Sequence, residues 1–299
     1  MKKVAVVYGG WSSEADISRK SGKSIASALR RLGFNVFELE LTRDIATRLL
    51  EINPDFVFPV LHGKPGEDGT FQGMLEILGI PYVGENHKVS SLCMDKDLTK
   101  RLLKEHGIQT PRWVSVKRES LKGLEDWNIY PAVVKPSEGG SSIGLKIVNN
   151  KSSLIEAVGN LLKFSEKVIV EEFIYGEEYT CGFVSGRVFT PLKIVPQTGI
   201  YDFKAKYTKG LTNFFPEKGS LGERIKQLTL KVIEALEIEN ICRVDFRYNP
   251  QKGEIYVLEV NTIPGMTETS LLPQMARSSA ILAIVALIAK LHTVITGLS

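Results

Sequence analysis

The run ICRVDFRYNPQKGEIYVLEVNT at 241–262 alternates apolar and polar residues on both sides of the turn signal Asn249-Pro250-Gln251-Lys252-Gly253. Period two is the spacing of a β-strand with one buried face. The run therefore reads as a hairpin that sends Val244, Phe246, Leu258 and Val260 to the core. The same alternation puts Arg243 and Asp245 of the first strand, and Glu259 and Asn261 of the second, on the opposite face. Three hard oxygen donors on one face suit Mg²⁺ held jointly with substrate phosphates, and Arg243 adds a planar fork for a phosphoryl oxygen. Taken alone, the hairpin fits a solvated face with a cross-strand Arg–Glu pair equally well.

A chain of 299 residues with 43% hydrophobic residues supports more than one core, so two or three domains are expected. Its 38 basic and 34 acidic residues leave a formal charge of +4, dispersed along the sequence. That balance argues against a nucleic-acid or membrane surface and leaves small anions open. Cys93, Cys181 and Cys242 lie far apart without CxxC or Cys/His spacing, so neither a disulfide framework nor a zinc site is indicated, and a reducing cytoplasm fits. The start, MKKVAVVYGG, has too short an apolar run for a signal peptide and reads as a first β-strand. AILAIVALIA at 280–289 is wholly apolar but shorter than the roughly 18 residues a bilayer span needs, and reads as a buried C-terminal helix or a dimer surface.

Residues 4–84 repeat strand, helix, strand: VAVVYGG, a stripe of Ile25, Ala28, Leu29 and Leu32 at helical spacing, then NVFELEL, FVFPVLHG and PYVG. This predicts a parallel sheet. From Asn86 the pattern predicts one capped helix through Leu103, closed by Gly107, then short strands at RWVSV, AVVKP, LKIV and VIVEEFI with a helix at 153–163. Connections this short exclude repeated parallel crossovers and predict an antiparallel sheet. EEYTCGFVSGRVFTPLKIV continues as strands, 196–219 reads as a long irregular lid, and a helix at 221–236 precedes the hairpin.

Three more stretches bear on chemistry. VKPSEGGSSIG at 134–144 places Lys135 at a strand end before a loop of glycines and serines, whose backbone N–H groups can close over phosphate oxygens; an ordinary turn is the plainer alternative. It lacks the Gly-Lys-Ser/Thr helix start of a Walker A loop, and no GxGxxG occurs anywhere. GGWSSEADIS at 9–18 joins strand to helix with Ser13 and Asp16 spaced as a capping box, and Glu14 serves either the helix dipole or a ligand. LHGKPGEDG at 61–69 ends a strand in a Gly-rich loop carrying His62, on the side of an α/β sheet where ligands bind; a structural histidine fits as well.

Read together, GGWSSEADIS, LHGKPGEDGTFQG, MDKDLTK, VKPSEGGSSIG, VEEFIYGEEYT, YDFKAKY, CRVDFR and LEVNTIPGMTETSLLP resemble, in this order and across the whole chain, the D-alanine–D-alanine ligases of the ATP-grasp superfamily. The resemblance implies an α/β and α+β fold of three parts. These are an N-terminal parallel-sheet domain (1–86) and two antiparallel-sheet domains (87–172 and 173–299) that clasp ATP, with a lid at about 196–219. It implies that Lys96, Lys135 and Lys206 contact the phosphates, that Ser142 is among the residues that bind ATP, that Glu171 holds the adenine amino group, that the main chain at Glu172 and Ile174 meets the ring edge, and that Glu178 holds the ribose. Asp245, Glu259 and Asn261 would bind two Mg²⁺ ions, with Mn²⁺ able to substitute. Glu14, with His62 nearby, would bind the first D-alanine, and Ser270 with the backbone at Leu271 the carboxylate of the second. Arg243 and the N–H of Gly265 would stabilise the oxyanion, and Ser141 and Tyr207 would join Glu14 to the lid. The implied setting is a cytoplasmic homodimer in peptidoglycan precursor synthesis, acting on small molecules and not on nucleic acid.

The chain departs from the family pattern in three places. SEGGSS puts Gly139 where the family has an acidic residue, with Glu138 one place early; EADIS lacks an arginine but keeps Glu14; and the segment from 277 onward is unusually apolar. Three other functions are weighed. A D-alanine–D-lactate ligase is disfavoured by Tyr207 in the lid, another carboxylate–amine ligase by MTETSLLP, and a non-catalytic ATP-binding regulator by the filled metal positions.

Overall fold

The computed structural model describes residues 2–276 except 122, 198, 200, 202, 209 and 268, and of Phe203 and Tyr207 the backbone alone. The apolar run at 280–289 and the Tyr207 side chain lie outside the described residues.

The chain begins β1 (Lys3–Tyr8), α1 (Ala15–Arg31), β2 (Asn35–Glu40), α2 (Ile45–Ile52), β3 (Phe56–Pro59) and α3 (Thr70–Ile77). The three strands form a parallel sheet in the order β2-β1-β3. The central strand is apolar on both faces because both are covered. Val4 and Val6 pack with Ile25, Ala28 and Leu29 of α1, while Ala5 and Val7 pack with Leu49, Phe71 and Leu75. Leu32 lies just past the end of α1 and is exposed. The PYVG run makes a single bridge, Tyr82 to Val57, and not a fourth strand.

The single helix expected from Asn86 is two helices, α4 (His87–Met94) and α5 (Lys96–Glu105). Asn86 caps the first, accepting from Val89 N at 2.9 Å. The break falls at Asp95, whose extended backbone and side-chain acceptance from Asp97 N at 3.0 Å make it the cap of the second. Both helices share a core with the third sheet rather than the second: Val89, Cys93 and Leu103 pack with Cys181, Val244, Phe246 and Val260.

The second sheet comprises β4 (Trp113–Lys117), β5 (Ala132–Pro136), β6 (Lys146–Val148) and, after α6 (Lys151–Leu161), β7 (Lys167–Glu172). Its order is β4-β7-β5-β6, antiparallel throughout. Val134, Val168 and Val170 face α6 through Leu154 and Val158, and the other face is left for a ligand.

The third sheet is built from β8 (Glu177–Val184), β9 (Arg187–Val188), β10 (Leu192–Pro196), then α7 (Phe203–Tyr207), β11 (Thr212–Pro216), α8 (Ser220–Ala235), β12 (Ile241–Asn249) and β13 (Glu254–Asn261), with α9 (Leu271–Ala276) against it. It runs β11-β10-β8-β12-β13, with β9 beside β8. The stretch at 196–219, expected as an irregular lid, is therefore not irregular throughout: β11 pairs antiparallel with β10, and the connection between them carries α7. Cys93, Cys181 and Cys242 are free and buried.

The β12–β13 hairpin turns where expected, but its register shifts after Asp245. Asp245 faces Glu259 while Phe246 faces Val257, so Leu258 is the extra residue of a β-bulge. Beyond the bulge the inward set on β13 becomes Ile255 and Val257, and Leu258, expected in the core, leaves it for the cleft described below.

A contact that the sequence did not advertise joins the first sheet to the third. Glu85, 1% exposed, accepts from the backbone N–H groups of Glu239 (3.1 Å), Asn240 (2.7 Å) and Ile241 (2.7 Å) at the entry to β12. A buried N–H left unpaired costs about 1–3 kcal/mol, so Glu85→Ala is expected to lower unfolding free energy by about 3 kcal/mol or more. Urea titration checks this, and a change below about 0.5 kcal/mol, the range of an ordinary surface substitution, would show that the joint does not depend on Glu85.

Candidate active site

Lys96 is aimed by the break between α4 and α5. Asp95 accepts from Ser137 Oγ at 2.6 Å and from Lys167 Nζ at 2.5 Å, which ties the start of α5 to the end of β5. Lys96 N in turn donates to Ser137 O at 2.9 Å. The Lys96 ammonium then reaches Gly139 O at 2.5 Å and lies 3.6 Å from Glu259 Oε2, bridging the Gly/Ser loop and the hairpin.

The loop after Lys135 is held in an uncommon conformation. Ser141 and Ser142 both have positive φ, 55° and 58°, a region that costs an L-residue roughly 1–2 kcal/mol. Their side chains hold the loop from two sides. Ser141 Oγ donates to Glu14 Oε1, and Ser142 Oγ donates to Tyr201 O at 3.2 Å. Gly140 runs so close to Glu14 that a Cβ there would sit 3.1 Å from Oε2. Glu138 pairs with Lys64 of the loop that follows β3.

Glu14 is the cap residue of α1, but no side chain caps that helix, and the predicted Ser13–Asp16 capping box does not form. Asp16 pairs with Arg19, and Ser12 Oγ donates to His62 O at 2.6 Å. The Glu14 carboxylate, 7% exposed, is thereby left facing the loop.

On the hairpin, Arg243 stands opposite Asn261 and Asp245 opposite Glu259. The pair seen is Arg243 with Asp245 of its own strand, bidentate at 2.9 Å on each arm, not a cross-strand Arg–Glu pair. Thr180 Oγ1 donates to Asp245 Oδ1 at 2.6 Å and Asn261 Nδ2 to Oδ2 at 3.3 Å. Burial alone raises the Glu259 pKa, but Lys96, Lys206, Lys135 and Arg243 together hold it well below the usual carboxylate range. Among the described residues no group of three or more His, Cys, Asp or Glu side chains is arranged as a metal cage. Two carboxylates and an amide fall short of an octahedral shell, a donor set that suits an ion completing its coordination on phosphate and water.

Two cavities meet at this face. The larger, about 390 Å³, lies between the second and third sheets; Lys96, Lys135, Ser142, Glu171, Glu172, Ile174, Glu178, Lys206, Asp245 and Glu259 all line it. Its apolar walls include Val133, Ile147 and the bulged Leu258. The smaller, about 90 Å³, lies toward the first sheet and is lined by Glu14, His62, Ser141, Arg243, Asn261, Gly265, Ser270 and Leu271. Gly140, Tyr201, Lys206 and Glu259 line both. Every expected site residue whose side chain is described thus lines one cavity or the other. At the far end of the small pocket, Thr267 N donates to Ser270 Oγ at 3.0 Å, and a Cβ on Gly265 would sit 2.8 Å from that oxygen.

In the large cleft Glu171 is ion-paired to Lys135 at 2.5 Å and to Lys100 at 2.8 Å. The Glu172 N–H is committed to Arg112 O at 2.9 Å. Burial raises the pKa of Glu178, which lies 3.7 Å from Arg247. Sequence reasoning missed Lys100, Tyr201, Glu67 and Leu258. All four fell inside quoted motifs, but nothing in the local pattern marks Lys100, Tyr201 or Glu67 for the site, and period two sent Leu258 to the core.

These features coincide with known relatives. A family model described as D-ala D-ala ligase C-terminus matches residues 102–293, and one described as D-ala D-ala ligase N-terminus matches 45–85. A D-alanine–D-alanine ligase of Aquifex aeolicus is 47% identical over 276 residues, covering 92% of this chain and 94% of its own. One of Carboxydothermus hydrogenoformans is 40% identical over 296 residues, covering 93% and 94%. Among solved structures, the Bacillus anthracis D-alanine–D-alanine ligase complexed with ATP superposes with a TM-score of 0.84 at 32% identity, covering 98% of this chain and 99% of that one. The VanG D-Ala:D-Ser ligase of Enterococcus faecalis gives 0.83 at 31% identity, covering 97% and 99%. The chain belongs to the D-alanine–D-alanine ligase family and has the ATP-grasp fold.

Proposed function

We propose that this protein joins two D-alanine molecules into D-alanyl-D-alanine at the expense of ATP, through a D-alanyl phosphate, to supply a peptidoglycan precursor. The observation that carries the reading is the meeting of a nucleotide-sized cleft and a small polar pocket at Gly140, Tyr201, Lys206 and Glu259. Such a junction lets a phosphoryl group pass from one ligand to the other without crossing water.

In this reading Glu14 takes the ammonium of the first D-alanine, whose carboxylate oxygen attacks the γ-phosphorus of ATP while the bond to ADP breaks. Two anions must approach, and Lys96, Lys135 and Lys206 offset their repulsion. Asp245, Glu259 and Asn261 would hold Mg²⁺, which when bound would supply positive charge against the phosphates. The amine of the second D-alanine, its carboxylate at Ser270 and the Leu271 backbone, then attacks the acyl carbon and phosphate leaves. Arg243, fixed by its bidentate hold on Asp245, and the N–H of Gly265 face the oxyanion of that step. Tyr207 is assigned with Ser141 to the link between Glu14 and the lid. For the nucleotide, Glu171 takes the adenine amino group, Glu172 and Ile174 the ring edge, Glu178 the ribose, and Ser142 a phosphate.

The three parts 1–86, 87–172 and 173–299 are proposed as the moving units, with α4 and α5, packed on the third sheet, as the joint between the last two. A cytoplasmic location accords with three free thiols. No helix among the described residues is long and apolar enough to cross a membrane. The homodimer rests on the family resemblance alone.

The direct test supplies ATP, Mg²⁺ and D-alanine, or D-alanine with D-serine or D-lactate, and follows ADP release together with product mass. D-alanyl-D-alanine at one ADP per dipeptide is expected. ADP without dipeptide, or a product only with another acceptor, would overturn the reading.

Glu259→Gln is expected to leave the fold intact, because it empties no core position, and to lower turnover about a thousandfold, equivalent to about 4 kcal/mol of lost charge stabilisation. Circular dichroism and steady-state ligation check both parts; near-normal turnover would remove Glu259 from the metal site. Lys135→Ala is expected to lower kcat/KM for ATP roughly 10- to 150-fold, the loss of one charge-assisted phosphate contact. Unchanged values would reduce the loop at 137–144 to a turn.

A further inference from the structure

Behind the nucleotide cleft lies a lysine that the mechanism above does not use. Lys100, on α5, is 1% exposed and its neighbour Glu171 is 2% exposed. Glu171 lines the cleft, whereas Lys100 sits on its far side and is not part of the lining. The ammonium is 2.8 Å from Glu171 Oε2, donates to Thr110 Oγ1 at 2.7 Å and to Pro111 O at 3.3 Å, and lies 5.4 Å from the centre of the Trp113 ring. Lys135 holds the other oxygen of Glu171 at 2.5 Å, and Lys135 and Glu172 are the remaining charges that act on Lys100.

The two cations beside Glu171 are not equivalent. Lys135 lines the cleft and, on the proposed function, turns to a phosphate when ATP binds. Without Lys100, Glu171 would then be an isolated buried carboxylate, a state that buried groups escape by taking up a proton. A proton would change what Glu171 recognises. An ionised carboxylate only accepts hydrogen bonds and so selects a base bearing an amino group, whereas a protonated one can donate to a 6-oxo group.

We propose that Lys100 is a positioning residue that keeps Glu171 ionised in the nucleotide-bound enzyme and thereby sets its preference for a 6-amino over a 6-oxo purine. This rests on the assignment of Glu171 to the adenine amino group. Burial brings the Lys100 pKa down to about 8, against the pull of Glu171. Burial raises that of Glu171, yet Lys100 and Lys135 together hold it below its ordinary value. Lys100 touches neither the cleft nor any phosphate contact, so its loss is read in nucleobase selectivity and in KM for ATP, with kcat little changed.

The experiment measures kcat and KM for ATP and for inosine triphosphate in the wild type, Lys100→Met and Glu171→Gln. In Lys100→Met the KM for ATP is expected to rise roughly tenfold, the loss of the charge that faces Glu171, while kcat changes less than about threefold. The ratio of kcat/KM for ATP to that for inosine triphosphate is expected to fall at least about tenfold by the same reasoning. Glu171→Gln, which both donates and accepts, is expected to lose the preference as well. If Glu171→Gln loses it and Lys100→Met keeps it, the role of Lys100 is overturned while Glu171 remains the base contact. If both keep it, the assignment of Glu171 falls and the role of Lys100 with it. Should Lys100→Met not fold, Lys100→Met/Glu171→Gln removes both charges at once. Recovery of a cooperative thermal transition in the double variant supports the counter-ion role, and failure to recover overturns it.

Discussion

Opposite charges held side by side on β12 and β13 are the constraint around which the molecule is arranged. Asp245 and Glu259 stand across from each other on neighbouring strands, where two carboxylates repel. They are tolerated because cations converge on them from three elements. Arg243 holds Asp245 from its own strand, Lys96 approaches Glu259 from α5, and Lys206 arrives from the lid. Each partner belongs to a different part of the chain, so the face is neutralised only when α5, the hairpin and the lid are assembled.

The bulge after Asp245 lets this charged face coexist with an apolar one. Strict alternation would bury Leu258 beneath the same sheet that presents Glu259. The extra residue turns Leu258 and Glu259 both toward the cleft while Val257 and Val260 stay in the core. One short segment then supplies an apolar wall suited to a base and a carboxylate suited to a metal. The Gly/Ser loop is fixed in a similar economy of contacts, with Ser141 to Glu14 on one side and Ser142 to Tyr201 on the other. Strain in two left-handed serines is the local cost of tying the start of α1 and the β10–β11 connection to the same loop.

Much of this was legible in the chain. The parallel first sheet followed from the strand–helix–strand repeat over 4–84, the antiparallel second sheet from connections too short for crossovers, and the charged hairpin face from period two. What misled was local chemistry that distant partners overrode. The helix expected from 86 to 103 breaks because Asp95 is claimed by Ser137 and Lys167, residues some 40 and 70 positions away. The capping box at Ser13 fails because Ser12 and Glu14 are turned to His62 and Ser141. A stretch read as an irregular lid contains β11 because β10 offers it a free edge.

By itself the sequence determined which residues would carry charge toward a ligand and which would make a core, since that is written in residue type and spacing. Periodicity has a range of a few residues, and within that range it placed Arg243, Asp245, Glu259 and Asn261 on the open face of their sheet. Only the tertiary structure decided which charges would meet. Glu85 reaches β12 across more than 150 residues, Lys100 lies hidden behind Glu171, and Leu258 is turned outward by a register shift. These are long-range Coulombic and hydrogen-bond pairings in a buried setting, whose strength depends on distance and desolvation, and neither quantity exists until the three sheets have packed together.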